Sequence, residues 1–180
     1  MSNNFKTSIK KKSNQWWKRI LLFTLFSAIL LIIGQLIKYY LVANHAIDNK
    51  WIYQSAWLGI KIKLNKSILW KNIQINSFTT IIILQSLVII SLGIIIFWWR
   101  KKWISLILIL IFFGGLGNFI NRLWYSPWVI DYLSLKINEI IYFNLEDLMI
   151  LVGIIILNLF IITKIIIWIK TETNNYKNKK

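Results

Sequence analysis

Six carboxylates are a small supply for 180 residues, and four of them, Asp131, Glu139, Glu146 and Asp147, fall in one segment between two apolar runs. Asp131 is set in "VIDYL", among side chains that would strip a carboxylate of its hydration unless it is partnered or functional. Asp147 opens the next apolar run in "FNLEDL", where Asn144 is placed to cap a helix and negative charge meets the positive end of the helix dipole. Glu146 beside it reads as an ordinary first-turn acid, pointing away from its neighbour because adjacent helical side chains diverge. If packing brings Asp131 and Asp147 side by side, both cannot ionise comfortably; they share a proton and titrate as a unit. Such a pair can take a proton from a water attacking a peptide carbonyl and return one to the departing amine, without a metal or a covalent intermediate.

Other chemistries are poorly supplied. The absence of cysteine excludes disulfides, thiolate nucleophiles and Cys-ligated metals. His45 is the single histidine, which removes multi-His metal sites and weakens any Ser-His-Asp arrangement, so no metal and no cofactor is expected. "GGLGN" lies at the end of an apolar run, where small residues let helices approach, and is not a phosphate loop.

The elements that must position the acids are apolar blocks. A hydrophobic fraction of 57% and a mean hydropathy of +0.60 exceed what a water-soluble domain carries. The blocks Ile20–Val42, Phe78–Trp99, Trp103–Ile120 and Leu148–Ile169 are each long enough to cross a hydrocarbon core of about 30 Å as a helix. The first exceeds a signal-peptide core of roughly 7–15 residues and is followed by no small-x-small cleavage site, so it reads as a retained helix. The net charge of +16 brackets the blocks instead of forming one stripe, which argues for a bilayer and against nucleic acid. Lys6–Arg19, Arg100–Lys102 and Lys164–Lys180 share one side if the helices alternate, and that side is expected to be the cytoplasm, with both termini there.

The expected fold is therefore a mainly α membrane protein, four transmembrane helices with a small extracytoplasmic β-containing cap. Residues 1–19 and 171–180 are expected as solvated basic cytoplasmic tails, disordered or lying on anionic headgroups. Residues 20–170 form the membrane domain, with outer loops 43–77 and 121–147. In the first loop "LGIKIKL" and "NIQIN" alternate at period two and predict short strands; "VIDYLSLKI" predicts another, with Val129, Asp131, Leu133 and Leu135 on one face.

A set of ordered short motifs resembles the lipoprotein signal peptidases, or signal peptidase II, aspartic proteases with four membrane helices. "GNFINR" resembles the family's G-N-x-x-D-R, "VIDYL" its V-V-D-F, and "FNLEDLMILVG" its F-N-x-A-D-S followed by a glycine. "GQLIK" resembles D-Q-x-x-K of the first helix, and "NKSILW" a degraded N-x-G-x-x-F. The resemblance implies Asp131 and Asp147 as catalytic aspartates, with Asn118 and Arg122 positioning substrate or the pair and Asn144 supporting it; Gln35, Lys38 and Asn65 match further supporting motifs. It implies cleavage of diacylglyceryl-modified prolipoproteins before the lipidated cysteine, at the outer face of the cell membrane, with membrane lipids as the other partners and a monomer favoured. The chain departs from the pattern at Gly34 and Asn121, where the family has aspartates, and at Glu146 and Leu148, where it has a small residue and a serine; Ser126–Trp128 also make the stretch to Asp131 one residue longer. A catalytically silent homologue that binds lipidated precursors is the first competing reading, and a small transporter component the second.

Overall fold

The computed structural model describes residues 2–45, 51–65, 77–99, 103–136 and 140–177. Four helices, α1 (Ser2–Asn44), α2 (Phe78–Trp98), α3 (Trp103–Tyr125) and α4 (Leu145–Lys177), accompany four strands, β1 (Tyr53–Gln54), β2 (Leu58–Asn65), β3 (Val129–Lys136) and β4 (Ile140–Phe143). Within α1 and α4 the stretches Gln15–Asn44 and Leu145–Tyr176 are long and apolar enough to cross a membrane, as are the whole of α2 and α3. The sides of α1, α2 and α4 turned away from the bundle carry exposed Leu, Ile, Phe and Trp, as expected where hydrocarbon replaces water as the neighbour.

Helix α3 is the centre, packing against α1, α2 and α4. Its small residues make this possible. A Cβ on Gly114 would stand 2.7 Å from the Glu146 carbonyl oxygen and 2.8 Å from Ile150 Cγ1, so α3 and α4 touch backbone to backbone there. Gly114→Ala is therefore expected to push α4 off α3 at the turn that bears Asp147, at a cost of about 1–3 kcal/mol. A thermal-shift measurement beside an activity assay checks this; an unchanged transition means the helices are not so tightly seated.

The strands form one antiparallel sheet in the order β1-β2-β3-β4. It docks on the end of α1 through Leu41, Ile62, Ile130 and Tyr132, with Ile37, Val42 and Leu145 packed around them. The β2–β3 register shifts between Ile60 and Lys63, so Ile60 pairs with Leu133 but Lys63 with Asp131 and Asn65 with Val129. This bulge moves Asn65 to the diagonal neighbour of Asp131 on one face of the sheet. The β3–β4 ladder runs from Lys136↔Ile140 to Leu133↔Phe143, and the next residue along the chain is Asn144.

Two expectations change here. The basic N-terminal segment and most of the C-terminal tail continue α1 and α4 as helix and are not disordered coil, since α1 begins at Ser2 and α4 reaches Lys177. Helix α3 runs on to Tyr125, so Arg122 is a helical residue and not part of the loop. The strand expected at "NIQIN", most of "NKSILW" and Glu139 lie outside the described residues.

Candidate active site

The site forms where α1 and α3 end, α4 begins and the sheet covers them. Asn144 precedes the first residue of α4. Its side-chain oxygen accepts from the Asp147 backbone N–H at 2.9 Å, while Asp147 Oδ2 accepts from the Asn144 backbone N–H at 3.1 Å. This reciprocal cap fixes the Asp147 carboxylate against the helix start. With its oxygen so engaged, the Asn144 amide group points the other way, donating to Asp131 Oδ1 at 2.8 Å and to Asn118 Oδ1 at 3.2 Å. Asn118, about two turns before the end of α3, donates through Nδ2 to Asp147 Oδ1 at 2.7 Å. Asn65 completes the set from β2, donating to Asp131 Oδ2 at 2.9 Å. Both carboxylates named from the sequence thus enter one network, joined by two asparagine amides.

The two acids differ in exposure. Asp131 is 1% exposed and Asn144 is fully buried, whereas Asp147 remains half-buried. Burial raises the Asp131 carboxyl to about 7, the nearby Asp147 charge adds to the rise, and the hydrogen bonds from Asn65 and Asn144 oppose it, as does the Lys38 charge.

A second layer lies beneath. Lys38 Nζ is 3.0 Å from Glu146 Oε2, the two side chains being 1% and 0% exposed, and 3.5 Å from Asn118 Oδ1. Gln35 Nε2 donates to Glu146 Oε1 at 2.6 Å and to the Gly117 carbonyl at 3.2 Å. Asn121 Nδ2 donates to Gln35 Oε1 at 2.9 Å, and Asn121 Oδ1 accepts from the Ile130 backbone N–H at 3.2 Å, tying α3 to the strand that carries Asp131. Arg122 Nη1 donates to Gln85 Oε1 at 3.0 Å, and Gln85 Nε2 to the Gly115 carbonyl at 3.2 Å, so this arginine braces α2 against α3.

All eight residues singled out in the sequence are thus placed: Asp131, Asp147, Asn118, Asn144 and Asn65 at the carboxylates, Lys38 and Gln35 one layer below, and Arg122 at the α2 side. Glu146 diverges from Asp147, contacting Gln35 and Lys38 and not Asn118 or Asn144, but the reading of it as an ordinary first-turn acid fails: it is fully buried, facing α1 and α3. From the second position of α4 its side chain is directed at α1 and α3, where Gly34 and Gly117 on the two facing helices make room. Sequence reasoning also passed over Gln85 and the part played by Asn121. An amide inside the apolar run "TTIIILQSLVIISLG" needs a hydrogen-bond partner at membrane depth, and that was the available signal for Gln85. Among the described residues no group of acids and histidines is arranged to hold a metal.

A family profile described as signal peptidase (SPase) II matches residues 26–163. The chain is 28% identical over 141 residues to a lipoprotein signal peptidase of Streptococcus thermophilus, covering 74% of this chain and 89% of that one. It is 29% identical to the corresponding protein of Lactobacillus johnsonii, covering 78% and 92%. A bacterial membrane enzyme solved by the in meso method at 2.3 Å resolution superposes with a TM-score of 0.67 at 21% identity, over 81% of this chain and 88% of that one, and so shares the fold. Because the profile match begins inside α1 and ends inside α4, it takes in every element that meets at the two aspartates, and the chain belongs to the signal peptidase II family.

Proposed function

We propose that this protein is a membrane aspartic endopeptidase that removes the signal peptide from diacylglyceryl-modified prolipoproteins, cutting before the lipidated cysteine. The observation that carries the reading is the joining of Asp131 and Asp147 through Asn144 and Asn118 at one end of a four-helix membrane bundle. The raised Asp131 carboxyl holds the shared proton, and the more open Asp147 faces the incoming water. Asp147 takes the water's proton as its oxygen attacks the carbonyl carbon. Asp131 then supplies a proton to the leaving nitrogen as the carbon–nitrogen bond breaks. A substrate anchored by its acyl chains presents the scissile bond at a nearly fixed depth, and the pair sits at a fixed depth on the helix ends. Arg19 and the ring pair Trp16–Trp103 mark the opposite end, consistent with a basic cytoplasmic face there and the site at the outer face.

The departures from the family pattern favour a silent homologue only if they break the site. Asn121 and Glu146 instead make hydrogen bonds and an ion pair within it, which supports an active enzyme. The direct test is incubation of purified protein in detergent with a diacylglyceryl-modified prolipoprotein and with its unlipidated form. Cleavage of the first alone is expected; binding without cleavage points to the silent homologue.

A pH dependence follows. Cleavage needs the proton that Asp131 loses through about pH 7, so kcat/KM is expected to fall about tenfold per pH unit above that point. The same group bears on stability. Its folded-state value lies above the ordinary carboxylate range, so between that range and about 7 the native state holds a proton that the unfolded chain has released. Its contribution therefore declines as pH rises through this window and is constant above it. A rate profile from pH 5 to 9 that stays flat through 7 would remove Asp131 from the proton-transfer role.

A further inference from the structure

Asp131 is not the only deeply buried charge among the described residues. Lys38 and Glu146 are 1% and 0% exposed, and two glycines create the space for the acid. A Cβ on Gly34 would stand 2.7 Å from Glu146 Oε1, and one on Gly117 would stand 2.5 Å from Glu146 Cγ. The Glu146 side chain, rooted in α4, thus occupies the volume that a side chain at position 34 of α1 would fill. Its Oε1 accepts from Gln35; among the described residues Oε2 has only the Lys38 ammonium beside it.

Asn118 shows what this ion pair does. An amide's oxygen and nitrogen ends are nearly the same shape, and the surroundings decide which way it turns. Lys38 Nζ and Asn144 Nδ2 both approach Asn118 Oδ1, at 3.5 and 3.2 Å. An ammonium only donates, so this end must be the oxygen, and the NH2 end is directed at Asp147 Oδ1.

We propose that Glu146 is a positioning residue: it holds the Lys38 ammonium against Asn118 and thereby sets the asparagine link between Asp147 and Asp131. The proposal rests on the peptidase reading for its catalytic consequence, but not for its structural one. It also has a corollary about position. Gly34 and Lys38 are one helical turn apart on the same face of α1, so an acid at position 34 reaches the ammonium as an i,i+4 partner. The carboxylate is thus exchangeable between the two helices, provided only one of positions 34 and 146 carries it.

The test compares wild type with Glu146→Gln, Glu146→Ala, Gly34→Asp and the swap Gly34→Asp/Glu146→Ala, each purified in the same detergent. The readouts are thermal transition, kcat and KM on a lipidated precursor. Glu146→Gln keeps the volume and is expected to fold and bind, with KM within about twofold and kcat reduced at least tenfold. Glu146→Ala and Gly34→Asp each lower both the transition and kcat, the first by stranding Lys38 and the second by crowding the site. The swap is expected to return the transition close to wild type and kcat to within about threefold. Wild-type kcat in Glu146→Gln, or a swap no better than Glu146→Ala, overturns the proposal. If wild type itself cuts no precursor, the peptidase reading fails separately. The thermal transitions then decide the ion pair: recovery in the swap supports it and no recovery refutes it.

Discussion

Asp131→Asn and Asp147→Asn are each expected to lower kcat for precursor cleavage by about three orders of magnitude, because each removes one end of the proton path. The shape of the site survives both changes. An Asn at 147 retains an oxygen to accept from the Asn144 backbone, and an Asn at 131 retains one for the Asn144 amide; its NH2 group meets the Asn118 or Asn65 donor, so each variant loses one hydrogen bond, worth about 1 kcal/mol. Thermal transitions within a few degrees of wild type are therefore expected, which separates lost chemistry from lost fold. Since the carboxylates act as one unit, the double variant should be no slower than the slower single variant. Single-turnover measurements on a lipidated precursor check this. A tenth or more of the wild-type rate in either single variant would show that the reaction runs without the pair.

The largest stability effect is expected at Lys38. Replacing it by Met fills the space but leaves the Glu146 carboxylate fully buried opposite a thioether. Removing one partner of a buried ion pair costs about 3–5 kcal/mol, because the remaining charge keeps its desolvation cost and loses its counter-ion. The combined Lys38→Met/Glu146→Gln variant strands no charge and is expected to be more stable than Lys38→Met alone, a non-additivity that a double-mutant cycle measures. Reversible unfolding in mixed micelles gives the four values. Simple additivity would show that the two side chains do not depend on each other.

Much of this site can be read along the chain because its parts are local or carry strong physical signatures. The four spans follow from apolar length, since each must cover a fixed thickness of hydrocarbon. Asn144 and Asp147, three residues apart at a helix start, form a cap that their spacing specifies. The strand carrying Asp131 follows from its alternation, and "LGIKIKL" likewise appears as β2.

What the sequence by itself determined is thus the set of elements and the identity of the charged and amide side chains within them. Only the tertiary structure decided which of those side chains meet. Asn65 reaches Asp131 through a β-bulge that no local pattern announces. Gly34 and Glu146 stand 112 positions apart and read separately as two unrelated departures, yet they share one volume between α1 and α4. A glycine's missing side chain carries no information about what fills its place. A glutamate's charge does not say whether water or a lysine neutralises it. Both answers depend on the close approach of helices across the bundle, which packing sets and local sequence does not.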